Sequence, residues 1–329
     1  MPASTRRGPR ILRASFPRGA AVPAELSTII DFIRWGASRF NAAKLTFGHG
    51  NDSAIDEATQ LVLHALHLPP DMPPAYGAAR LDAAEREKVL ALLERRIVER
   101  RPAAYLTGEG WFAGLAFEVD ERVLVPRSPI AELILAGYEP WLGGREVHRV
   151  LDLCTGSGCI GIATAVHHPY WQVDIADISE DALALARRNV TELDARGVRV
   201  LQSDLFRDLA GERYDLIVSN PPYVPADELD ALPREYQYEP ALGLKSGQDG
   251  LDLPLRILAA APEHLNEGGL LICEVGDSEA ALGELLPHVP FAWVEFKVGQ
   301  MGVFVLERDD LVAHHEDFMA ELSKRGLAP

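Results

Sequence analysis

The feature that most restricts the fold is a regular alternation of short apolar segments with helical segments from Arg149 onward. Continuous apolar strands separated by helices are typical of a buried, mostly parallel sheet with helices on both faces. The predicted strands are Val150–Leu153, Trp171–Ala176, Val198–Gln202, Leu216–Ser219, Leu270–Val275, Ala292–Lys297 and Val303–Leu306. A short connection between the last two favours antiparallel pairing there. We therefore expect an α/β sheet of seven strands whose final pair is antiparallel.

The chain before this sheet pattern reads as helices. Apolar residues recur at helical spacing in three segments: Ser27–Phe40, Asp56–Leu68 and Leu81–Arg100. In the third segment, Val89, Leu93 and Ile97 repeat every four residues on one face. Asp82 and Glu85 stand at capping-box spacing at its start. These patterns predict a small helical domain.

A third pattern joins these two regions. Aromatic residues from Tyr105 to Val119 flank a central Ala113-Gly114 pair, which predicts a β-hairpin. The chain then divides into a basic leader (1–24), a helical domain expected to recognise the substrate (25–103), a hairpin linker (104–125), a sheet domain with the ligand site (126–308) and a polar, helical tail (309–329).

The leader contains five arginines and no acidic residue, namely Arg6, Arg7, Arg10, Arg13 and Arg18. Its composition favours a disordered extension. A basic tether for RNA or for an acidic partner is one alternative, and an organelle transit peptide is another.

The formal net charge of −17 limits the partners of the chain. Proteins that grip nucleic acid usually present a basic face to the phosphates, so nucleic acid is disfavoured and a basic protein partner is favoured. No apolar run approaches the roughly 20 residues of a membrane helix. The three cysteines, Cys154, Cys159 and Cys273, lack metal-site spacing, and their small odd number fits a reduced, cytoplasmic setting. A dimer is left open.

A glycine-rich loop, Asp152–Gly158, follows the first strand of the sheet. In doubly wound sheets such loops let the backbone approach a ligand closely. Gly156, Gly158 and Gly161 also satisfy G-x-G-x-x-G, so the glycine spacing alone does not separate a dinucleotide from another nucleoside cofactor. Asp177, after the second strand, suits a ribose diol in either case.

Two carboxylates favour S-adenosylmethionine. Asp152 opens the loop, where its charge would repel a pyrophosphate and attract a methionine ammonium. Asp204, after the third strand, can accept a hydrogen bond from an adenine amino group. Each aspartate alone is as readily a strand-end cap or turn former. Because the three aspartates Asp152, Asp177 and Asp204 follow successive strands, they are expected to share one edge of the sheet.

Asn220-Pro221-Pro222-Tyr223 ends the fourth predicted strand. Two prolines also end a strand as a simple turn, which is the alternative reading. The side-chain carbonyl of Asn220 and the backbone carbonyl of Pro221 can accept both N–H bonds of a planar amide-type nitrogen. Those hydrogen bonds strengthen as charge builds on the nitrogen, so they favour the transition state of methyl transfer. Tyr223 offers a ring face to the planar group.

With these motifs, the chain resembles the protein N5-glutamine methyltransferases, and within them the branch that modifies a glutamine of the third large-subunit ribosomal protein. The shared segments are Phe47–Gly50, Ala104–Thr107, Val119–Pro129, Leu153–Ile160, Ser203–Leu209, Gly247–Gly250 and Ile272–Gly276. Cys154, where the loop often has glycine, and Arg127-Ser128-Pro129 look like this branch's form. The resemblance implies a Rossmann-like class I methyltransferase domain that uses S-adenosylmethionine.

The resemblance also implies roles for individual residues. Asn220, Pro221 and Tyr223 would be catalytic, and Pro222, Arg127 and Glu132 would contact the substrate. The implied cofactor residues are Asp152, Cys154, Thr155, Gly156, Gly158, Asp177, Ile178, Asp204, Leu205 and Asn220. The substrate would be a basic ribosomal protein.

Two features stand apart from this pattern. Val298–Gly302 is shorter and less rich in Gly and Asp than the corresponding turn of the branch. His49 lies beside glycines in the helical domain, where a structural role is the usual one. A role in partner recognition, or in a contact between domains, is the alternative.

Three other functions remain open on sequence grounds. An N6-adenine methyltransferase acting on nucleic acid uses the same Asn-Pro-Pro-Tyr chemistry, although the charge of −17 disfavours it. A release-factor glutamine would differ only in the substrate. A non-enzymatic assembly factor would keep the fold as a binding module, although the intact Asn220 argues against it.

Overall fold

The structure is a computed structural model that describes residues 25–297 and 302–329. The expectations for the leader and for most of the Val298–Gly302 turn therefore lie outside the described residues. The chain forms two compact units. The first contains the described residues up to Leu45 together with Ser53–Arg101, and the second contains Thr46–Asp52 together with Pro102–Pro329.

The first unit is helical, as the sequence predicts. Its helices are α1 (Ile29–Ala42), α2 (Ala54–Ala65) and α3 (Ala83–Glu99), with a 3-10 turn at Pro74–Ala78. The predicted capping box of Asp82 and Glu85 is confirmed, because each side chain accepts a hydrogen bond from the other residue's backbone N–H at 2.9 Å. This reciprocal pairing satisfies two of the donors left free at the helix start and fixes where α3 begins.

The buried face of α3 differs from the predicted one by a single residue. Val89 and Leu93 are fully buried, but Ile97 is only half-buried. Arg96 takes the remaining buried position, where its guanidinium pairs with the buried carboxylate of Glu57 on α2. A buried charge is tolerated when it is paired, which hydrophobic periodicity alone does not reveal.

The second unit is built around the sheet. Its remaining elements are α4 (Ala103–Thr107), β1 (Glu109–Phe112), β2 (Leu115–Glu118), α5 (Ile130–Leu135), β3 (Arg149–Leu153), α6 (Cys159–His167), β4 (Gln172–Asp177), α7 (Glu180–Glu192), β5 (Val198–Gln202), β6 (Tyr214–Ser219), α8 (Asp252–His264), β7 (Leu265–Glu274), α9 (Glu279–Leu285), β8 (Ala292–Trp293), β9 (Val303–Glu307), α10 (Arg308–Ala313) and α11 (His315–Arg325). Among the described residues, no helix is both long and apolar enough to cross a bilayer.

The seven-stranded sheet is confirmed, in the order β5-β4-β3-β6-β7-β9-β8. The five strands from β5 to β7 run parallel, and β9 lies antiparallel to both β7 and β8. The strand order reverses direction between β3 and β6, which creates a crevice at their carboxyl ends. The predicted hairpin is also confirmed, as the antiparallel pair β1 and β2.

Both faces of the sheet are buried. Successive residues of a strand enter opposite apolar clusters: Val150 lies in one and Leu151 in the other, and the same holds for Leu216 and Ile217. This arrangement explains why the strands read as continuous apolar runs rather than as alternating ones.

Two predicted elements near the end of the chain are corrected. The strand expected over Ala292–Lys297 is limited to the two residues of β8. The expected polar, helical tail is helical, as α10 and α11, but it is not polar throughout, because Leu311, Phe318 and Leu322 are buried in the core of the second unit. The three apolar residues are spaced by seven and four positions, so they lie on one helical stripe within an otherwise charged segment.

Candidate active site

A cavity of about 590 Å³ lies at the carboxyl ends of the central strands, where the strand order reverses. That volume is within the range of ordinary small-molecule sites. Most of the predicted site residues line it: Arg127, Cys154, Thr155, Gly156, Asp177, Ile178, Asp204, Leu205, Asn220, Pro221, Pro222 and Tyr223. The structure therefore brings the two halves of the predicted site, the loop after β3 and the Asn-Pro-Pro-Tyr segment after β6, to one cavity.

Asp152 lies behind the wall of this cavity rather than in it. Its side chain is fully buried, where it accepts hydrogen bonds from the Thr155 hydroxyl and from the Gly161 N–H at 2.8 Å. The other carboxylate oxygen, Oδ1, has no hydrogen-bond partner among the described residues. Burial raises the pKa of Asp152 to about 7, although the two hydrogen bonds lower it. The structure thus places Asp152 as the residue that shapes the loop from beneath.

The loop itself needs unusual backbone conformations. Cys154 has a φ of +58°, a left-handed value that glycine adopts most easily, which explains why glycine often stands at this position. Gly158 precedes α6 with a φ of +83° and packs against Ile162, so a side chain there would overlap Ile162. Gly158 is not among the residues that line the cavity, so its contact with the cofactor stays a prediction.

Glu132, which the resemblance assigns to the substrate, lies apart from the cavity. It lies on α5, and its carboxylate accepts a weak hydrogen bond of 3.4 Å from the Lys297 backbone N–H. It is not part of the cavity wall. The implied substrate contact of Glu132 is therefore not carried by this structure.

Asp177 and Asp204 line the cavity after β4 and β5. Asp177 accepts hydrogen bonds at 2.9 Å from the N–H groups of Gly156 and Ser179, and its burial raises its pKa. Asp204 pairs with Arg207 and, at 3.2 Å, with Arg256. A carboxylate has about four acceptor sites, so both aspartates retain capacity for a ligand.

Asn220-Pro221-Pro222-Tyr223 follows directly from β6 into the cavity. Among the residues that the structure describes, none hydrogen-bonds the Asn220 side chain. The amide of Asn220 is thus available at the cavity wall, next to backbone fixed by two proline rings.

Tyr223 is held in place by a buried carboxylate. Its hydroxyl donates to Glu274 Oε1 at 2.9 Å, and the Ser128 hydroxyl donates to Glu274 Oε2 at 2.5 Å. Burial raises the pKa of Glu274, while the hydrogen bonds from Ser128 and Tyr223 lower it. The Tyr223 ring lies against Gly276, where a side chain would overlap the ring. Ring and hydroxyl are therefore both fixed.

Arg127 is fixed in a similar way on the other side of the cavity. It donates to both oxygens of buried Glu239, at 2.5 and 2.8 Å, and its guanidinium lies 5.6 Å from the centre of the Tyr236 ring. His49 is buried beside the same pair, with its ring centre 4.2 Å from that of Tyr236 and Nε2 3.8 Å from Glu239. A structural role for His49, as its setting among glycines favours, agrees with this packing.

Sequence reasoning missed three residues that hold the site: Glu274, Glu239 and Arg256. Glu274 carried a signal, because it is an acidic residue directly after the apolar run Leu270–Cys273, at the same sheet edge as Asn220. Glu239 and Arg256 carried none, since they lie in a loop and a helix far from Arg127 and Asp204 along the chain.

Two family models match parts of this chain, and solved structures are similar to it. The model of the methyltransferase small domain family matches residues 141–232, and the model of the PrmC N-terminal domain family matches residues 31–108. A methyltransferase structure from Pyrococcus furiosus is similar with a TM-score of 0.44 and 22% identity, over 59% of this chain and 89% of that one.

Proteins of much higher identity share nearly the whole chain. The ribosomal protein uL3 glutamine methyltransferase of Xanthomonas campestris is 68% identical over 295 residues, covering 90% of this chain and 96% of that protein. The enzyme of the same name from Xylella fastidiosa is 64% identical over 305 residues, covering 93% and 98%. The chain therefore belongs to the family of ribosomal protein uL3 glutamine methyltransferases.

Proposed function

We propose that this protein transfers a methyl group from S-adenosylmethionine to the side-chain amide nitrogen of a glutamine in ribosomal protein uL3, giving N5-methylglutamine. The observation that carries the proposal is the placement of Asn220 and Pro221 in the wall of the same cavity as the loop after β3. The proposed site of the methyl acceptor and that of the methyl donor thus lie in one cavity.

The residues of the cavity fit S-adenosylmethionine. Its methionine part fits beside the loop after β3, which lines the cavity through Cys154, Thr155 and Gly156, while Asp152 holds this loop from behind the wall. Asp177 and Ile178 suit a ribose and an adenine face, and Asp204 with Leu205 suits the adenine edge. When bound, the cofactor supplies an electrophilic methyl group on its sulfonium sulfur.

The protein must make a weak nucleophile reactive. The lone pair of an amide nitrogen is delocalised into its carbonyl group. The Asn220 side-chain carbonyl and the Pro221 backbone carbonyl accept the two N–H bonds and orient the nitrogen. As positive charge builds on that nitrogen, both hydrogen bonds strengthen, so they stabilise the transition state more than the ground state. Tyr223 and Pro222 flank the planar group, and the methylated nitrogen then loses a proton readily to water.

The cavity wall also offers an apolar surface beside Arg127. This surface includes Leu124, Leu232, Tyr236, Pro240, Leu242 and Leu244. An apolar wall suits the aliphatic part of a glutamine side chain. Arg127 uses two donor directions on Glu239 and keeps others for carbonyl oxygens of the substrate backbone.

The acidity of the enzyme suits its substrate. A net charge of −17 attracts a basic ribosomal protein at long range and disfavours polyanions. Modification of a ribosomal protein, together with the three cysteines, fits a cytoplasmic setting.

Asn220→Ala tests the mechanism directly. Removing one acceptor of a polarised group costs about 10²–10³ in kcat, so we expect a loss of that order. Binding of S-adenosylmethionine, measured by calorimetry, should stay within about threefold, because the loop after β3 is untouched. Near-normal transfer in a variant that binds the cofactor normally would remove Asn220 from the mechanism.

A further inference from the structure

A loop that packs against the backbone of Tyr223, the last residue of the Asn-Pro-Pro-Tyr segment, is held by a residue far away in sequence. Residues 244–252 run alongside Tyr223 and Val224. Val224 donates its N–H to the Leu244 carbonyl at 2.8 Å, and Ser246 donates to the Val224 carbonyl at 3.0 Å. This loop is therefore paired with the backbone immediately after Asn-Pro-Pro-Tyr.

The contact between the loop and Tyr223 is close. Gly250 has a φ of +81°, and a side chain at that position would overlap the Tyr223 carbonyl and the Ser278 hydroxyl. The Ser278 hydroxyl donates to the same carbonyl at 3.2 Å. The position of the Gly250 backbone and the position of the Tyr223 backbone therefore determine each other.

Arg325, at the end of α11, clamps this loop. It donates to both carboxylate oxygens of Asp249, at 2.8 and 2.7 Å, and to Asp252 at 2.9 Å. The pairing raises the pKa of Arg325 and lowers that of Asp249. The Arg325 side chain is 20% exposed, so this is a partly buried, two-pronged ion pair rather than a loose surface one.

The helix that carries Arg325 is anchored in the core but takes no part in the cavity wall. Phe318 and Leu322 on α11 are buried against the core of the second unit, and Leu327 packs on the same cluster. No residue of α11 lines the cavity. The helix is thus a rigid support for Arg325.

A second contact runs from the same end of the chain to the cofactor side. Arg256 on α8 donates to the Ala328 carbonyl at 3.0 Å and to Asp204 at 3.2 Å. The segment after α11 therefore also orients the arginine that pairs with Asp204. Both halves of the cavity are reached from this one terminal element.

We propose that Arg325 is a positioning residue for methyl transfer, which holds the Gly247–Asp252 loop against the Tyr223 backbone and thereby fixes the acceptor end of the site. This inference rests on the proposed function, because it makes Arg325 responsible for the position of the two carbonyl groups, of Asn220 and Pro221, that accept hydrogen bonds from the substrate amide. A displacement of about 1 Å at reacting groups costs up to roughly 10²-fold in rate, so loosening this support is expected to act on turnover.

The test compares Arg325→Met with Lys324→Met in the full-length enzyme. Both variants remove one positive charge from the same helix turn, but the one ion pair of Lys324 with the described residues is that with Glu321, and its side chain is 69% exposed. In transfer assays with purified uL3, Arg325→Met should lower kcat roughly tenfold or more while S-adenosylmethionine affinity stays within about twofold. Lys324→Met should match the wild type.

Two further variants separate positioning from a general loss of stability. Asp249→Asn should reproduce most of the kcat loss, since Arg325 keeps its contact with Asp252, and the double variant should be no worse than Arg325→Met, because both substitutions break the same pair. Arg325→Lys should recover part of kcat, since lysine keeps the charge but not the two-pronged geometry. If Arg325→Met does not fold, these two milder variants decide the question. Equal kcat in the wild type and Asp249→Asn, or additive losses, would overturn the proposal.

Amide hydrogen exchange gives a readout that needs no substrate. Exchange at Val224, Ala226 and Ser246 should accelerate in Arg325→Met and not in Lys324→Met, because these N–H groups bond across the clamped segments. If exchange accelerates in Arg325→Met but the wild-type enzyme is inactive on uL3, the proposed function is rejected and the role of Arg325 in holding the loop is kept. If the wild-type enzyme is active on uL3 but exchange and kcat are unchanged in Arg325→Met, only the positioning role of Arg325 is rejected.

Discussion

Tyr223 is constrained at its hydroxyl, its ring and its backbone. The hydroxyl is bonded to buried Glu274, the ring lies on Gly276, and the backbone carbonyl accepts a hydrogen bond from Ser278. Since a flexible ring would lose orientation with every rotamer change, these contacts keep one face of the ring toward the cavity. The sequence indicated the ring's role but not the side chains that hold it.

Tyr223→Phe isolates the hydroxyl contact. The ring remains, so we expect transfer to fall by less than about tenfold, whereas losing a hydrogen bond to the buried Glu274 should lower the free energy of unfolding by about 1–3 kcal/mol. Urea unfolding and transfer assays measure the two effects. Tyr170→Phe, at a tyrosine that is 93% exposed, is the matched control. Equal unfolding midpoints for the two variants would contradict the role given to Glu274.

Among the elements, those fixed by local signals were predictable from the sequence. The capping box of α3 and the cap of α7, where Ser179 accepts from the Ala182 N–H at 3.3 Å, involve residues three positions apart. The contacts that complete the site join distant residues, as with Arg127 and Glu239, 112 positions apart, or Tyr223 and Glu274, 51 apart. Their pairing depends on strand order and loop path, which periodicity does not determine.

The glycine-rich loop between β3 and α6 lies where the sequence predicts it, but one of its side chains, Asp152, lies elsewhere than expected. Asp152 was expected at the ligand surface, yet it supports the loop from beneath through Thr155 and Gly161. In addition, Asn189 on α7 donates to the Ser157 carbonyl at 2.9 Å and to the Glu118 carbonyl at 3.1 Å. The loop is thus tied to its own strand and to the hairpin.

Asp152 gives the loop a predictable pH dependence. Folding raises the pKa of this carboxyl to about 7, so the folded protein retains a proton that the unfolded chain has released. Its contribution to stability is therefore complete below pH ~4 and is lost as the pH rises to about 7, by a few kcal/mol at about 1.4 kcal/mol per unit of pKa. Asp152→Asn lacks this titration. The wild type should lose stability relative to Asp152→Asn between pH ~4 and about 7 in urea unfolding, and parallel pH profiles would contradict the assignment.

At the scale of the whole molecule, composition restricted the class of partner but not the arrangement of the chain. The net charge of −17 favoured a basic protein over nucleic acid, in agreement with the relatives named for uL3. The sequence did not indicate that Thr46–Asp52, which lies within the helical half of the sequence, clusters with the sheet unit. Its contacts explain why: Thr46 donates to Glu235 at 3.2 Å, and His49 packs on Tyr236.

The same limit applies to the end of the chain. Charged residues dominate the last two helices, so their polarity hid the buried stripe of Leu311, Phe318 and Leu322. Only the packed structure shows that Arg325 in this segment pairs with Asp249 and Asp252, the contacts on which its proposed positioning role rests.

The most direct test of the central claim is the product itself. Purified uL3 and a peptide-chain release factor are incubated separately with the enzyme and S-adenosylmethionine, then digested and mapped by tandem mass spectrometry, with Asn220→Ala as the inactive control. The account predicts one added methyl group on the side-chain amide of a single uL3 glutamine, absent with Asn220→Ala. Methylation of the release factor with none on uL3, or a methyl group on any residue other than glutamine, would contradict it.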